Sequence, residues 1–205
     1  MSGPDLTPRA RPQQARSQAT LERLLRVSAE LLEEVGVNGF NTNLLAQRAG
    51  VSVRAIYRYF PNKWSILVAM AERAGALERT WIGDLRHHSE GDLRANVDRA
   101  IDGYFEAARR LPGYAALRAA SQASPELREV DDRTNRALQA DLALGLREFG
   151  VDVGEEALGA LCLVIIETSN RLLDIALQGK PREAALVVAE LKKMLVGLLR
   201  QYVGD

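Results

Sequence analysis

Between Asn41 and Lys63 the segment NTNLLAQRAGVSVRAIYRYFPNK sets two short apolar patterns on either side of Gly50-Val51-Ser52 and halts at Pro61. Helices of about eight residues are marginal in water and persist only where packing holds them in a defined geometry. The residues at their ends specify that geometry. Asn41 or Thr42 can cap a helix through LLAQRA, Gly50 can take the left-handed conformation that ends it, and Ser52 can cap the next helix, VRAIYRYF. Val51 and Ile56 then stand at the two positions of a hydrophobic staple. Two helices joined by so tight a glycine turn make either a generic αα-corner or a helix-turn-helix, whose second helix fits the major groove of DNA.

Residue chemistry on the outer side favours the second option. Val53, Arg54 and Ala55 precede the first core residue, Ile56, and so project from the helix tip that meets base edges in such a motif. Arg54 can bond guanine bidentately. Tyr57 and Tyr59 carry hydroxyls on rings that suit either phosphate contacts or ordinary amphipathic packing. Lys63 opens a helix directly after Pro61-Asn62, where the macrodipole disfavours a cation while the free N–H groups favour an anion. A cation set against that rule points to a phosphate partner.

The rest of the chain shows helical periodicity and no alternating strand, so the fold is expected to be all-α, with about nine helices. Leu21, Leu24, Leu25, Ser28, Leu31, Leu32 and Val35 recur at helical steps across Ser17 to Val35, and Gly36 closes that helix. Further helices are expected from Asn62 into the 80s, across DLRANVDRAIDGYFEAARRL, after Pro112-Gly113, from Ser124 to Phe149, from Gly154 to Gln178 and from Arg182 to Tyr202.

Composition bounds the class. The 205 residues are 47% hydrophobic and 26% charged, enough apolar material for a real core. Net charge is zero but uneven: residues 1–63 hold nine Lys/Arg against five Asp/Glu, and residues 64–205 hold 18 against 22. A basic front on an acidic remainder fits a nucleic-acid-binding head on a non-binding body, or simply a solvated surface. No apolar run reaches the roughly 18 to 20 residues of a membrane span, and Met1 to Gln18 lacks the apolar block of a signal peptide, so a cytoplasmic location without membrane contact is expected. Cys162, the single cysteine, has no partner for a disulfide and reads as a buried, inert thiol.

The segment GVNGFNTNLLAQRAGVSVRAIYRYFPNKWSIL, Gly36 to Leu67, resembles the DNA-binding head of TetR-type transcriptional regulators. Leu45-Ala46, Ala49-Gly50-Val51-Ser52, Tyr57, Tyr59-Phe60, Lys63 and Leu67 carry the pattern at its spacings, across roughly the first third of the chain. The resemblance implies a flexible basic arm over residues 1–16 and a helix-turn-helix domain over 17–63. It implies a ligand-binding and dimerisation domain over 64–205, with helix four beginning at 62 and linking the two domains. It also implies base-facing roles for Asn43, Val53, Arg54 and Ala55 and phosphate-facing roles for Thr42, Tyr57, Tyr59 and Lys63; Ser52 completes the expected DNA-binding set. Arg54 and Ala55 stand where small Gly and Thr residues are frequent in the family, and Trp64 where an acidic residue is common, which bears on the operator sequence.

In the C-terminal half, Leu186, Met194 and Val196 widen the apolar stripe of the last helix beyond what one neighbour needs, and the helix from Gly154 is similarly apolar. The two are expected to form half of an intersubunit four-helix bundle, rather than only a monomeric core, giving a homodimer that reads a palindromic operator. An effector pocket is expected between head and dimer face. Its candidate walls are Trp81, Tyr104, Phe105 and Tyr114, each of which reads more readily as simple core. Glu167, Thr168, Ser169 and Asn170 interrupt an apolar helix and would need partners if buried, while Glu167, Arg171 and Asp174 also suit an intrahelical ion-pair ladder.

Nothing in the sequence supports catalysis, a metal site or a cofactor. His87 and His88 are adjacent, diverge by about 100 degrees on a helix and cannot readily share one metal; no phosphate loop or nucleophile elbow appears. Three readings stand: a ligand-responsive DNA-binding repressor released by a small-molecule effector, a DNA-binding regulator without such an effector, and a helical enzyme with an incidental helix-turn-helix. The first is preferred.

Overall fold

The computed structural model describes residues 5–6, 14–87 and 92–203, except for the side chains of 77, 80–87 and 123. Among these residues the chain forms nine α-helices and no strand: α1 (Ala15–Gly39), α2 (Thr42–Ala49), α3 (Val53–Tyr59), α4 (Lys63–His87), α5 (Leu93–Arg110), α6 (Tyr114–Ala123), α7 (Pro125–Glu148), α8 (Glu155–Gln178) and α9 (Pro181–Leu199). The all-α expectation holds. Gly36 breaks α1 as expected, with φ 64 and ψ 178 inside its last turns. Val35, counted in the apolar stripe, is 38% exposed because it stands in the turn just before that break. Of the basic arm, residues 1–16, only 5, 6 and 14–16 are described; His88 and the His87 side chain lie outside the described residues.

The chain divides into two compact units. The first holds residues up to Gly75 together with Leu111–Asp132, and the second holds Ala76–Arg110 and Arg133–Asp205. The first unit is thus larger than a head cut at residue 63. The reason is packing: α6 lies along α1 so closely that Gly113, at φ 71, has room only for a hydrogen where a Cβ would stand 2.5 Å from the Ala29 carbonyl oxygen. The short helices α2 and α3 are held in the same unit by Leu45 and Ile56, which are fully buried, and by Phe40 and Phe60, each 1% exposed. Removing a buried leucine or isoleucine of this kind costs roughly 2 to 5 kcal/mol, so burial supplies what eight-residue helices lack on their own.

In the second unit α8 packs on α9, and α5 packs on both. Leu161, Ile165, Leu173, Val188, Leu191 and Leu195 form the seam, with Cys162 buried among them. Burial pushes the Cys162 thiol up from its ordinary pKa, which keeps it protonated and unreactive. Of the three residues that widen the α9 stripe, Val196 turns inward at 5% exposure, whereas Leu186 and Met194 stay 62% and 41% exposed.

Candidate functional site

The turn between α2 and α3 is built from local hydrogen bonds. Asn41 takes the cap of α2, its Oδ1 accepting the Leu44 N–H at 2.9 Å, which leaves the Thr42 hydroxyl uncommitted to the cap. Gly50 is left-handed at φ 63, ψ 39. Its N–H bonds to the Gln47 carbonyl at 3.3 Å and that of Val51 to the Ala46 carbonyl at 3.1 Å, the double closure that ends helices at a left-handed residue. Ser52 Oγ accepts the Ala55 N–H at 3.1 Å, so that hydroxyl serves as the cap of α3. Arg48 grips Glu34 with two bonds of 2.8 and 2.7 Å and ties α2 to α1. The Arg48 hydrogen bond holds the Glu34 carboxyl below its usual range, and Glu34 in turn raises the guanidinium.

With Ile56 and Tyr59 turned inward, the opposite side of α3 is left to solvent. Arg54 is exposed and makes no hydrogen bond or ion pair among the described residues. Val53 and Ala55 flank it half-exposed, and Asn43 on α2 is exposed. Two residues linked to phosphates by resemblance meet here: Thr42 Oγ1 lies 3.4 Å from Tyr57 Oη. Tyr59 goes the other way. Its ring is 2% exposed, its hydroxyl accepts from Arg58 Nη2 at 2.7 Å and donates to the Ser17 carbonyl at 3.5 Å, and the Arg58 guanidinium lies over the ring. Of the two roles open to Tyr59 the structure selects packing, because Ile56 and Tyr59 are three residues apart and share the inward face.

Lys63 sits in the first turn of α4, ahead of which Asn62 and Ser65 cap each other: Asn62 Oδ1 accepts the Ser65 N–H at 3.0 Å and Ser65 Oγ accepts the Asn62 N–H at 3.3 Å. The Lys63 ammonium donates to the Val37 carbonyl at 3.3 Å and stands 4.9 Å from the centre of the Trp64 ring. Trp64 therefore supplies a π-face at the position where an acidic residue is common in the family. One of three ammonium donors is used by Val37.

The second unit holds a half-open cavity of about 230 Å³ lined by α5, α7, α8 and α9. Its walls are almost wholly apolar, with Leu138, Leu146, Ile165, Leu173, Leu195 and Phe149 among them. Tyr104 and Asn170, both singled out from sequence, line it. The other candidates do not. Phe105 is in the core seam with the Arg109 guanidinium 5.7 Å from its ring centre. Tyr114 is buried in the first unit, at the start of α6. Glu167 and Arg171 are exposed on α8, and the Trp81 side chain lies outside the described residues.

Asn135 of α7 connects two of the candidates. Asn170 Nδ2 donates to Asn135 Oδ1 at 3.1 Å, and Asn135 Nδ2 donates to Glu167 Oε1 at 3.3 Å. Asn96, Asp141 and Ser169 also line the cavity. Ser169 belongs to the polar stretch that interrupts α8, and a signal for the other two was present: Asn96 falls on the Leu93–Val97–Ala100 face of α5, and Asp141 on the Leu138–Leu142–Gly145 face of α7, each a polar residue in an apolar stripe.

Comparison with known proteins agrees with this geometry. Residues 24–70 match the family described as "Bacterial regulatory proteins, tetR family", and residues 92–199 match "Tetracyclin repressor-like, C-terminal domain". The tetracycline repressor protein class C of Escherichia coli is 30% identical over 129 residues, 60% of this chain and 56% of that protein, so the match spans about half of that relative's length. The HTH-type transcriptional regulator BetI of Escherichia coli is 26% identical over 170 residues, 80% of this chain and 86% of that protein. Among solved structures, a TetR-family transcriptional regulator from Streptomyces coelicolor superposes with a TM-score of 0.67 at 24% identity, covering 90% of this chain and 99% of the other. A transcriptional regulator from Rhodococcus sp. does so with a TM-score of 0.72 at 20% identity over the same shares. Since the second family match alone spans more than half of the sequence and the first falls on the helix-turn-helix, the chain belongs to the TetR family of bacterial regulatory proteins.

Proposed function

We propose that this protein is a ligand-responsive transcriptional repressor that binds a palindromic operator as a homodimer and is released by a small-molecule effector. The observation that carries the reading is the two-sided character of α3: Ile56 and Tyr59 anchor one side in the core, while Arg54 stands exposed and unpaired among the described residues at the capped tip. Arg54, with Val53, Ala55 and Asn43, reads base edges, and Thr42, Tyr57 and Lys63 hold phosphates. Ser52 contributes as the cap that aims the helix and Tyr59 as the anchor behind it.

Dimerisation uses α8 and α9. Exposed Leu163, Val164 and Ile175 on α8 and Leu186 and Met194 on α9 supply apolar surface that an isolated subunit leaves in water. Val164 and Ile175 are eleven residues apart and therefore lie on one side of α8. The effector occupies the cavity of the second unit, and α4, one continuous helix that begins at Lys63 and runs on into that unit, carries its effect to the DNA-binding residues. No helix among the described residues is long and apolar enough to cross a membrane, and the protein works on DNA in the cytoplasm.

The test is selection of bound duplexes from a random pool, followed by titration of the selected and scrambled sequences. A palindromic consensus bound by two subunits at least a hundredfold more tightly than scrambled DNA is expected. Equal affinity for both would overturn the regulator reading.

A further inference from the structure

We infer that the cavity between α5, α7, α8 and α9 takes an uncharged, mainly apolar molecule that carries one hydrogen-bond acceptor, seated between Asn96 and Ser169. The inference rests on the effector reading above and specifies the chemistry of that effector. Asn96 Nδ2 and Ser169 Oγ are buried and have no hydrogen-bond partner among the described residues, and both residues border the cavity. A buried donor without an acceptor costs roughly 1 to 3 kcal/mol, so folded proteins keep few of them. Two such donors on α5 and α8, flanking one cavity, mark the place where an acceptor from outside the chain recovers that cost. The neighbouring amides are already partly used. Asn170 donates to Asn135, and Asn96 uses its own oxygen to accept from Arg99 Nη1 at 3.2 Å, leaving its amino group as the available half.

Charge selects further. Among the described residues the one formally charged side chain in the lining is Asp141, which repels an anion, and an ammonium carries no acceptor to offer Asn96 Nδ2 and Ser169 Oγ. Size selects too: an apolar cavity of about 150 Å³ holds benzene, so about 230 Å³ suits a small bicyclic molecule or its equivalent.

A matched set of probes tests this on the intact protein: indane, 1-indanone, 1-aminoindane and 1-indanecarboxylate, each titrated calorimetrically into wild type, Ser169→Ala and Asn96→Leu. Wild type is expected to bind 1-indanone at least tenfold more tightly than indane and than either charged analogue. In Ser169→Ala and in Asn96→Leu that preference should fall to within about threefold while indane still binds, which shows the cavity intact. Ser169→Ala is conservative enough to keep the test valid should Asn96→Leu fold poorly. Equal binding of ketone and hydrocarbon by wild type, preference for the ammonium, a ketone preference that survives Ser169→Ala, or no binding of any probe would each overturn the inference. Calorimetry needs no DNA. Failure of the regulator reading would appear separately, as absence of a selected duplex, and failure of the effector reading as a bound duplex that 1-indanone does not release.

Discussion

The Thr42 hydroxyl of α2 and the Tyr57 hydroxyl of α3 lie 3.4 Å apart, joining the two helices of the helix-turn-helix at their solvent side. A phosphate placed there would accept from one hydroxyl while that hydroxyl accepts from the other, and a charge-assisted hydrogen bond is worth roughly 1.5 to 3 kcal/mol. Tyr57→Phe and Thr42→Val should each weaken operator binding about tenfold or more per half-site. The double variant should lose less than the two together, because each hydroxyl orients the other. Fluorescence anisotropy across the double-mutant cycle measures this; strict additivity would mean the two hydroxyls act on separate groups.

Arg54 and Lys63 should fail in different ways. Arg54→Ala is expected to cost about 1 to 3 kcal/mol per half-site and to relax preference at one base pair. Lys63→Ala should weaken all sequences alike and lower the salt slope by about 1 per head. Titrations against selected and scrambled duplexes at several salt concentrations separate them. If Arg54→Ala loses both affinities equally, Arg54 is a phosphate anchor and base reading falls to Asn43, Val53 and Ala55.

Two left-handed glycines should respond unequally to alanine. Gly50, at φ 63, has open space where a Cβ would go, so Gly50→Ala bears only the backbone penalty of about 1 to 2 kcal/mol. Gly113→Ala adds a Cβ only 2.5 Å from the Ala29 carbonyl oxygen, and is expected to exceed about 4 kcal/mol, in the range reserved for drastic changes. Urea denaturation of both variants gives the comparison; similar losses would show that α6 can move away from α1 at little cost.

Val164→Asp and Leu186→Asp alter side chains that are 51% and 62% exposed in the subunit. Helix content by circular dichroism should be unchanged, while sedimentation at micromolar concentration should show monomers and DNA affinity should collapse. Dimers surviving both changes would place the interface elsewhere.

The Cys162 thiol has its pKa raised by burial. The native state therefore holds its proton to higher pH than the unfolded chain does, and this contribution to stability is complete below the ordinary thiol range and lost as pH rises beyond it. The stability difference between wild type and Cys162→Ala should shrink above about pH 9, measured by urea denaturation from pH 7 to 10. A constant difference would mean that the thiol titrates as it does in the unfolded chain.

The positions that sequence made legible share one property: their chemistry is local. Gly36 and Gly50 stop their helices and Ser52 caps α3 through contacts within five residues, so the amino-acid order alone determined the nine helical segments and the turn that marks the family. The choice between Tyr57 and Tyr59 was not legible, since both are aromatic residues in one short helix. The long-range approach of Tyr59 to Ser17, 42 positions away, decided which ring is core. In the same way Phe105 and Tyr114 were candidates for the wall of this cavity but lie in the core seam and in the first unit, because periodicity tells which face of a helix is apolar but not what that face meets. Partner helices drawn from distant parts of the chain line the cavity around Tyr104 and Asn170. They also leave Asn96 Nδ2 and Ser169 Oγ without partners, a property of tertiary packing that no stretch of sequence expresses because hydrogen-bond satisfaction is settled only when all neighbours are in place.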